Sequence, residues 1–416
     1  MAHLLVLELP GGNDSDLLQA AVERGDEFTF LSSQFDHYTA QAQLQPILAM
    51  AKFKVEVSPF DYDEVEKAIL VLHASHPFEA VLCLLDTRII DASRLAHALQ
   101  LPFLNRAATE LLRDKFSVRQ RLTGRGLPQP GFALARSNEE LKLAVEELGL
   151  PVLIKPTDGY GSQNIVVLRF PEDLDPYLTP LDDMLPSGMD YGLGVKANDR
   201  LLVERYLTGT IVGCDTFSFN GQHQLLGINE KLFFEAPSFA IRGGCFQPNR
   251  PEFGGIQSYI FSLLDAVDFD FGAAHIEIIL TDSGPQLIEI NARLVGAKLP
   301  RLMSFALGKS VYAGLIDLHL GMSDAFGLCD TGMVAVTRWI VAEHPGLLAS
   351  VTLPLWQDAR IRCVEILKMP GDCVRPPTEN ADRIGYVMVC APTQAEAEGI
   401  ADKFVSECVC CLKPAT

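Results

Sequence analysis

Two kinds of apolar pattern alternate along the first hundred residues. Short runs such as HLLVLEL, EFTFLS and EAVLCLLD are typical of buried strands, and stretches such as DLLQAAVERG, DEVEKAILVLHA and ASRLAHALQ are typical of helices. This alternation predicts a parallel sheet flanked by helices. Pro10-Gly11-Gly12 follows the first strand, where folds of this class place a ligand loop, but it lacks the dinucleotide fingerprint and is better explained as a tight turn.

A different unit follows after about residue 112. A basic helical stretch, ATELLRDKFSVRQRLTGRGLPQP, leads into a helix with Ser137 at its N-cap and Glu140 at its third position, a capping-box pattern. The strand VLIKP, a glycine-rich loop and the strand NIVVLRF come next. A loop-rich stretch over roughly 171–199 separates this compact unit from the strand LLVERYL.

Hairpins replace the alternation from Leu201 onward. CDTFSFNGQHQLLGI turns at Asn220-Gly221, a strong hairpin signal, and AAHIEIILTDSGPQLIEINAR turns around Ser283. One long helix is predicted over roughly 300–320, and the strands MVAVTRWIVA and RIGYVMVCA and the closing helix TQAEAEGIADKFVSECV complete the chain. This half of the protein is therefore predicted to form antiparallel sheet.

Composition and charge limit the classes of partner. The 416 residues include 53 acidic and 34 basic side chains, a formal net charge of −19, which disfavours nucleic acid and anionic membrane surfaces. The sequence has no uncharged apolar run of about 18 residues and no basic segment before its first apolar run, so neither a transmembrane helix nor a signal peptide is predicted. Ten scattered cysteines without a disulfide or zinc spacing predict reduced thiols in the cytoplasm.

The second hairpin brings acidic side chains together. If its turn centres on Ser283, Glu277 faces Glu289 and His275 faces Asn291 on one side of the hairpin. Like charges in facing positions, with Cβ atoms about 4.5–5.5 Å apart, destabilise a sheet. A divalent cation would neutralise them, with Asn291 as a third oxygen ligand; glutamates that point into water are the alternative. The opposite face is predicted to be core, with Ile276, Ile278, Ile288 and Ile290.

Two lysines lie beside features that suit an anion. Lys155 ends an apolar strand directly before the DGYGS loop at 158–162, whose backbone amides and adjacent lysine would attract an anion. Lys115 lies in a basic helix of an otherwise acidic protein. The plain alternatives are a structural turn for the loop and a solvated face for the helix. The basic positions of that helix are Arg113, Lys115, Arg119 and Arg121.

Taken in order along roughly residues 110–320, these pieces resemble the ATP-grasp superfamily. The ordered features are Lys115, Lys155 with its Gly-Ser loop, the segment VERYL, and then Glu277, Glu289, Asn291 and Arg293. The layout is most similar to the ATP-dependent L-amino acid ligases that make dipeptides, the dapdiamide-synthetase and carnosine-synthase-like group. The resemblance implies an α/β (α+β) ATP-grasp fold with an N-terminal Rossmann-like parallel-sheet domain over 1–112. A small lid over 113–200 and a larger antiparallel catalytic domain over 201–416, with an extension over about 325–416, would follow.

The resemblance also implies roles for individual residues. The ATP phosphates would contact Lys115, Lys155, Gly159, Gly161 and Ser162. The adenine would meet a hinge, largely through backbone groups, formed by Glu204, Arg205, Tyr206 and Leu207. Mg²⁺, or Mn²⁺ in its place, would be held by Glu277, Glu289 and Asn291. Arg293 would be catalytic, because it would stabilise charge on the transferring phosphoryl group and on the tetrahedral intermediate.

Two positions depart from the pattern of the family. Ile211 stands where many members have an acidic ribose ligand, so ribose contact is expected from Asp215 or Lys231. Arg242 stands near the place of a glutamate that meets the amino group of the first substrate, so the donor is expected to carry an extra acid or a blocked amine. In the alternative, Arg242 pairs with Glu235 or points into solvent. The expected substrate contacts are Arg242, Gly243, His275, Arg293 and Gly296.

These expectations combine into an ATP-dependent carboxylate–amine ligase. A substrate carboxylate would attack the γ-phosphate to form an acyl phosphate, and an amine would then displace phosphate to give an amide, ADP and phosphate. His275 is expected in a supporting or core position, with help in deprotonating the amine as the alternative, and Ala297 hints at room for a bulky substrate group. Amino acids are the expected substrates, and the group suggests a homodimer. The alternatives are an ATP-grasp carboxylase that acts through carboxyphosphate and a nucleotide-binding module without turnover.

Overall fold

Three sheets of four or more strands follow one another along the described part of the chain. The computed structural model describes residues 1–9, 15–159, 164–178, 190–192, 195–196, 198–234, 240–322, 327, 331–378 and 380–413. The predicted tight turn at 10–12 and the predicted phosphate contacts Gly161 and Ser162 lie outside the described residues. Within the described ranges, no helix combines the length and the apolar character needed to cross a bilayer.

The N-terminal sheet is parallel, as the alternating pattern predicts. Its elements are β1 (His3–Leu7), α1 (Asp16–Glu23), β2 (Glu27–Ser32), α2 (Phe35–Thr39), α3 (Gln45–Ala49), β3 (Phe53–Glu56), α4 (Tyr62–Ser75), β4 (Ala80–Cys83) and α5 (Ile89–Ala98). The strand order is β3-β2-β1-β4. Leu5 and Val6 point to opposite faces and are both buried, each in a different apolar cluster. Continuous apolar strands of this kind suit a sheet that is covered on both faces.

The second sheet is small and antiparallel. Its region contains α6 (Arg106–Leu112), α7 (Lys115–Gly124), β5 (Phe132–Ala135), α8 (Asn138–Leu148), β6 (Val152–Pro156), β7 (Val166–Leu168), β8 (Asp190–Gly192), β9 (Val195–Lys196) and β10 (Leu201–Arg205). The strand order is β5-β10-β6-β7. Because β10 pairs inside this sheet, the sheet continues past the boundary expected at residue 200. The predicted N-cap of α8 is confirmed, since Ser137 Oγ accepts a hydrogen bond from the amide of Glu140 at 3.2 Å.

The third sheet has eight strands and carries most of the second half of the chain. Its region contains β11 (Thr210–Phe219), β12 (Gln222–Phe233), β13 (Ile241–Pro248), α9 (Gly254–Ala266), β14 (Gly272–Thr281), β15 (Gly284–Asn291), α10 (Leu299–Leu307), α11 (Val311–His319), β16 (Val334–Ile340), β17 (Gly346–Thr352), β18 (Ile361–Ile366), β19 (Cys373–Val374), β20 (Gly385–Ala391), α12 (Gln394–Ser406) and β21 (Val409–Lys413). The eight strands run in the order β15-β14-β11-β12-β13-β16-β20-β18, while β19, β17 and β21 form a separate small sheet. All neighbours in the large sheet are antiparallel, as predicted. The predicted turn at Asn220 and Gly221 is confirmed, and both residues have the positive φ angles that such a turn requires.

The two faces of this large sheet meet different layers. On β14, Ala274 and Ile276 pack into a cluster with α9, whereas Ala273 packs into a cluster shared with the N-terminal domain. Because side chains alternate along a strand, His275 and Glu277 lie on the same face as Ala273. The site described below therefore lies on the face that looks toward the N-terminal domain.

Two predicted helices are each divided in two. The helix expected over 300–320 ends with α10, because Gly308 adopts a left-handed conformation with a φ of 71°, and Ser310 then caps α11. The basic helical stretch likewise breaks into α6 and α7, where Asp114 Oδ1 accepts a hydrogen bond from the amide of Ser117 at 2.7 Å. Lys115 thus becomes the first residue of its own helix.

Candidate active site

The predicted carboxylate pair is present in the β14–β15 hairpin. Glu277 faces Glu289 and His275 faces Asn291 in the strand register. The prediction from the sequence is therefore confirmed at these four positions, and the two glutamate side chains share one face of the sheet.

A bulge in β15 makes this register possible. The loop between the strands is one residue shorter than a turn centred on Ser283 would give, since Thr281 pairs with Gly284. Ile288 is the extra residue that restores the predicted pairing further along the hairpin. As a correction to the predicted core, Leu287 is 1% exposed and packs inside, whereas Ile288 is only partly buried. The other predicted core positions of the hairpin are buried: Ile276, Ile278 and Ile290.

Glu277 lies between a lysine and a histidine. Lys231 Nζ is 2.5 Å from Glu277 Oε1, and His275 Nε2 is 3.4 Å from the same oxygen. Burial disfavours the charged carboxylate, but the charge of Lys231 and the hydrogen bond from His275 outweigh burial and hold the pKa of Glu277 well below its ordinary value. Glu277 is therefore an anion at neutral pH.

Asp215 fixes His275 from the interior of the protein. Its side chain is fully buried, and its Oδ1 lies 3.1 Å from His275 Nδ1 and accepts a hydrogen bond from the amide of Val295 at 3.2 Å. Its Oδ2 accepts a hydrogen bond from Asn229 Nδ2 at 2.5 Å. Burial lowers the pKa of His275, but Asp215 and Glu277 outweigh that effect and raise it to about 9. His275 is thus a cation that bridges two carboxylates, in line with the supporting position expected for it.

Glu289 has a lysine of its own. Lys115 Nζ is 3.5 Å from Glu289 Oε2 and also donates a hydrogen bond to the carbonyl oxygen of Gly159. Asn291 Nδ2 donates to Glu289 Oε1 at 3.1 Å. Burial lowers the pKa of Lys115; Glu289 opposes that change, and the nearby cation of Lys155 reinforces it. The two facing glutamates are therefore neutralised by different lysines.

Lys155 belongs to a buried ionic triad. Lys155 Nζ is 2.6 Å from Glu204 Oε2, and Arg119 Nε donates to Glu204 Oε1 at 2.6 Å. Burial raises the pKa of Glu204, but the charges of Arg119 and Lys155 outweigh burial and hold it below its ordinary value. Arg119 Nη2 also donates to the carbonyl oxygens of Leu287 and Ile288 at 2.8 and 2.9 Å. A solvated helix face therefore does not describe Arg119, which is 1% exposed.

The predicted hinge residues after Glu204 are described by the hydrogen bonds of their backbone amides. The amide of Arg205 donates to the carbonyl of Gly131, and the amide of Tyr206 donates to the carbonyl of Pro151. Within the described part of the chain, the amide of Leu207 has no backbone acceptor. A planar ligand beside the hinge would therefore find its backbone donor at Leu207.

Arg293 is held by a residue from the N-terminal domain. Asp86 Oδ2 accepts from Arg293 Nε at 2.7 Å and lies 2.5 Å from Arg293 Nη2. Burial raises the pKa of Asp86, but the charges of Arg293 and Arg113 outweigh burial and keep it below its ordinary value. A small cavity lined in part by Asp86, Arg113, Lys115 and Asn291 lies beside this pair. Arg293 is thus close to the carboxylate hairpin and tied to a different domain.

Arg242 and Gly243 do not join this group. Arg242 Nη2 is 3.5 Å from Asp402 Oδ1 of α12, and a Cβ atom at Gly243 would lie 2.9 Å from Arg338 Cδ. Both positions thus lie toward α12, on the face of the sheet opposite to Glu277. A bulge where β13 pairs with β12 places the Arg242 side chain there. The reason for expecting an extra acid on the donor therefore no longer holds. Glu235, the ion-pair partner considered for Arg242, lies outside the described residues.

The remaining residues that the sequence predicted to contact a ligand are Asp215, Lys231 and Gly296. Asp215 cannot reach a ribose, because its side chain is fully buried and both of its oxygens are engaged. Of the two residues considered for ribose contact, Lys231 thus stays the candidate, and its Nζ lies beside Glu277 Oε1. Gly296 lies in the loop that follows β15, next to Ala297, which is exposed.

The donor set of the hairpin fits a hard cation that shares its ligands with a phosphate. The described residues contain no group of three or more His, Cys, Asp or Glu side chains that would enclose a metal ion alone. Nucleotide-bound Mg²⁺ usually takes one or two carboxylates and completes its shell with phosphate oxygens and water. Glu277, Glu289 and Asn291 offer two carboxylates and an amide oxygen on adjacent strand positions, which matches that requirement.

The sequence analysis assigned no role to two residues that the structure places beside the site, Asp86 and Arg119. Asp86 lies three residues after the end of the apolar strand β4. Ligand sites of parallel sheets lie at the carboxyl ends of strands, so this position indicated a site residue. Arg119 follows Lys115 by four residues in α7, which places both on one helix face. That spacing was the available sign that Arg119 faces the site.

Comparisons with known proteins match two segments of the chain. A family model described as an ATP-grasp domain matches residues 148–300, and one described as L-amino acid ligase C-terminal domain 2 matches residues 338–408. The L-arginine-specific L-amino acid ligase of Bacillus subtilis is 24% identical over 210 residues, which cover 50% of this chain and 49% of that protein. Dapdiamide A synthase of Enterobacter agglomerans is 23% identical over 249 residues, which cover 59% of this chain and 57% of that protein. The chain thus aligns with about half the length of each of these relatives.

The fold comparison extends over the whole chain. The crystal structure of an L-amino acid ligase from Bacillus licheniformis superposes with a TM-score of 0.81 over 99% of both chains, at 18% sequence identity. The parallel N-terminal sheet, the small antiparallel sheet and the large antiparallel sheet thus form a mixed α/β ATP-grasp fold. A segment that matches an ATP-grasp domain and a later segment that matches an L-amino acid ligase C-terminal domain therefore lie in this order on that fold.

Proposed function

We propose that this protein is an ATP-dependent carboxylate–amine ligase that joins amino acids through an acyl phosphate. The observation that carries the proposal is the facing pair Glu277 and Glu289, each neutralised by a lysine. Like charges in facing positions destabilise a sheet, so their presence beside two lysines is consistent with a charged ligand that both groups contact. The matches to an ATP-grasp domain and to L-amino acid ligase relatives support a nucleotide and amino acids as those ligands.

ATP would lie between the small sheet and the β14–β15 hairpin. Lys155 and Lys115 would meet its phosphate oxygens, and the amide of Leu207 would donate to the adenine. Ile288 would cover the adenine ring, because it is displaced from the core and its carbonyl lies 3.5 Å from Lys155 Nζ. Magnesium held by Glu277, Glu289 and Asn291 would neutralise charge on the phosphates.

In the first step a carboxylate oxygen of the donor attacks the γ-phosphorus, and the bond between the γ-phosphorus and the ADP oxygen breaks. The chain contributes position and positive charge rather than a nucleophile. Lys115 suits this role, since its side chain is 13% exposed and its Nζ lies 3.5 Å from Glu289 Oε2 of the hairpin. A closed, dry site also protects the acyl phosphate from water.

In the second step the amine attacks the acyl carbon, and phosphate leaves with the electron pair of the carbon–oxygen bond. The amine proton passes to phosphate or to solvent. Arg293 would stabilise the oxyanion of the tetrahedral intermediate. His275 would not act as the base for the amine, because it is protonated at neutral pH and bridges Asp215 and Glu277.

Unmodified amino acids are the first choice of donor and acceptor. Arg242 lies toward α12, so it gives no reason to expect a second acid on the donor. A cytoplasmic location agrees with the cysteines, since the nine that the structure describes are free thiols. A homodimer stays a prediction from the group.

A phosphate-release screen tests the proposal. Pairs of amino acids would be incubated with ATP and Mg²⁺, with and without bicarbonate, and products would be identified by mass spectrometry. Phosphate release that needs two amino acids, with a product mass equal to their sum less one water, supports the ligase. Phosphate release that depends on bicarbonate would identify the carboxylase alternative, and ATP binding without release over all pairs would identify a binding module.

A further inference from the structure

Arg119 has no part in the reaction steps above, yet it is among the most deeply buried charged side chains of the described chain. It connects three elements that meet at the nucleotide site. It lies on α7, donates to Glu204 of the hinge strand β10 and donates to both carbonyls at the bulge of β15. The fold therefore places a fixed cation behind Lys155 rather than in contact with solvent.

The charges of the triad do not cancel. Lys155 and Arg119 contribute two positive charges, and Glu204 contributes one negative charge, in a region where each of the three residues is at most 5% exposed. A buried group with a net charge is unfavourable unless an opposite charge joins it. A pair of Lys155 and Glu204 alone would be neutral and would offer a phosphate little attraction.

We propose that Arg119 is a positioning residue for nucleotide binding: by binding Glu204 and the bulge carbonyls, it leaves the charge of Lys155 available to an anion. This inference rests on the proposed function, in which Lys155 meets the ATP phosphates. The anion is a nucleoside triphosphate, and Arg119 itself does not contact it. Arg119 also holds the bulge carbonyls at Leu287 and Ile288, which sets the register of the carboxylate pair.

A charge-balance cycle tests this role. The variants are Arg119→Met, Glu204→Gln and the double variant, and the readout is the Kd for ATP with Mg²⁺ measured by titration calorimetry. Arg119→Met makes the triad neutral, so we expect ATP binding to weaken at least tenfold. Glu204→Gln removes the partner of Lys155, so we expect tighter binding. The double variant restores one net positive charge, so we expect its Kd to return to within about threefold of the unmodified protein.

The matched control is Arg121→Met on the same helix. Arg121 pairs with Asp268 at 2.8 Å in an exposed position, so its loss should leave the Kd unchanged. If Arg119→Met does not fold, Arg119→Lys, which keeps the charge, replaces it and is expected to bind ATP within about threefold of the unmodified protein.

Three results would overturn the inference. The first is an Arg119→Met variant that binds ATP as tightly as the unmodified protein, and the second is a tenfold loss of binding in Arg119→Lys although it keeps the charge. A double variant no better than Arg119→Met would assign Arg119 a merely structural role. Failure of the unmodified protein to bind ATP would instead overturn the proposed function, and this inference with it.

Discussion

Asp86 of the N-terminal domain holds Arg293 of the ATP-grasp region through two hydrogen-bonding distances of 2.7 and 2.5 Å to one carboxylate oxygen. The two residues are 207 positions apart in the chain. Such a charge-assisted contact fixes the plane of the guanidinium. Arg293 thus depends on the docking of the N-terminal domain for its orientation, so that domain contributes directly to the site.

Loss of the Asp86 carboxylate should slow amide formation. In Asp86→Asn the guanidinium of Arg293 loses a hydrogen bond to a charged partner, a contact worth about 1.5–3 kcal/mol. We expect the rate of product formation to fall at least tenfold, while the affinity for ATP is not reduced. Steady-state ADP formation and titration calorimetry measure the two quantities. Glu110→Gln, which removes an exposed pair with Arg106, is the matched control, and an unchanged rate in Asp86→Asn would refute the role.

Glu289 and Arg293 should each be required for turnover. Glu289→Gln removes one metal ligand, and Arg293→Ala removes the proposed oxyanion donor. Removal of a single charge-stabilising group in an active site typically costs about 10²–10³ in rate, and we expect losses of at least that size in ADP formation. Circular dichroism should show an intact fold in both variants, and Glu147→Gln on the exposed face of α8 serves as control. Substantial turnover in either variant contradicts the assignment of the site.

The ion bridge at His275 should make stability depend on pH. Its pKa rises from 6.5 to about 9 on folding, so the protonated ring stabilises the folded state fully below about pH 6.5. That contribution, about 3 kcal/mol at most, is lost as the pH rises through 9. Urea unfolding at a series of pH values should show this loss in the unmodified protein and a smaller one in His275→Gln. If the free energy of unfolding changed equally with pH in the two proteins between pH 6.5 and 9, His275 would not be the source of the pH dependence.

Gly213 should resist substitution because it makes room for His275. A Cβ atom at Gly213 would lie 2.5 Å from His275 Cε1, and the ring is fixed by Asp215. We expect Gly213→Ala to lower the free energy of unfolding by about 1–3 kcal/mol and to weaken the contact of His275 with Glu277. Gly255→Ala is the control, since Gly255 lies in α9 with open space around its Cα, and alanine there should be neutral or stabilising. Equal stability of the two variants would contradict the packing argument.

The carboxylate pair could be predicted because it is local. Only eleven residues separate Glu277 from Glu289, and a short hairpin leaves few choices of register. The side of the sheet on which Ile288 lies could not be predicted from the sequence. A β-bulge shifts by one residue which side chains point to each face, and the apolar pattern does not show the bulge. The break between α10 and α11, in contrast, was encoded by Gly308 and Ser310, a typical end and a typical start of a helix.

The rest of the site depends on contacts between distant segments. Arg119 and Glu204 are 85 positions apart, and nothing in the helix sequence says that this arginine is buried. Arg242 illustrates the same limit, since its side chain lies toward α12 because of a bulge against β12 and finds a partner in Asp402. Local patterns thus predicted the fold class and the facing glutamates of the hairpin, whereas packing between distant segments determines which cationic side chains lie beside them.

The transfer of oxygen during turnover tests the central claim most directly. The acid substrate found in the screen would be labelled with ¹⁸O in its carboxylate and supplied with the amine, ATP and Mg²⁺. An acyl phosphate intermediate predicts that the released phosphate carries one ¹⁸O from that carboxylate and that one ADP forms for each amide. Phosphate without the label, or ADP formed without amide, would contradict the account of this protein as a carboxylate–amine ligase.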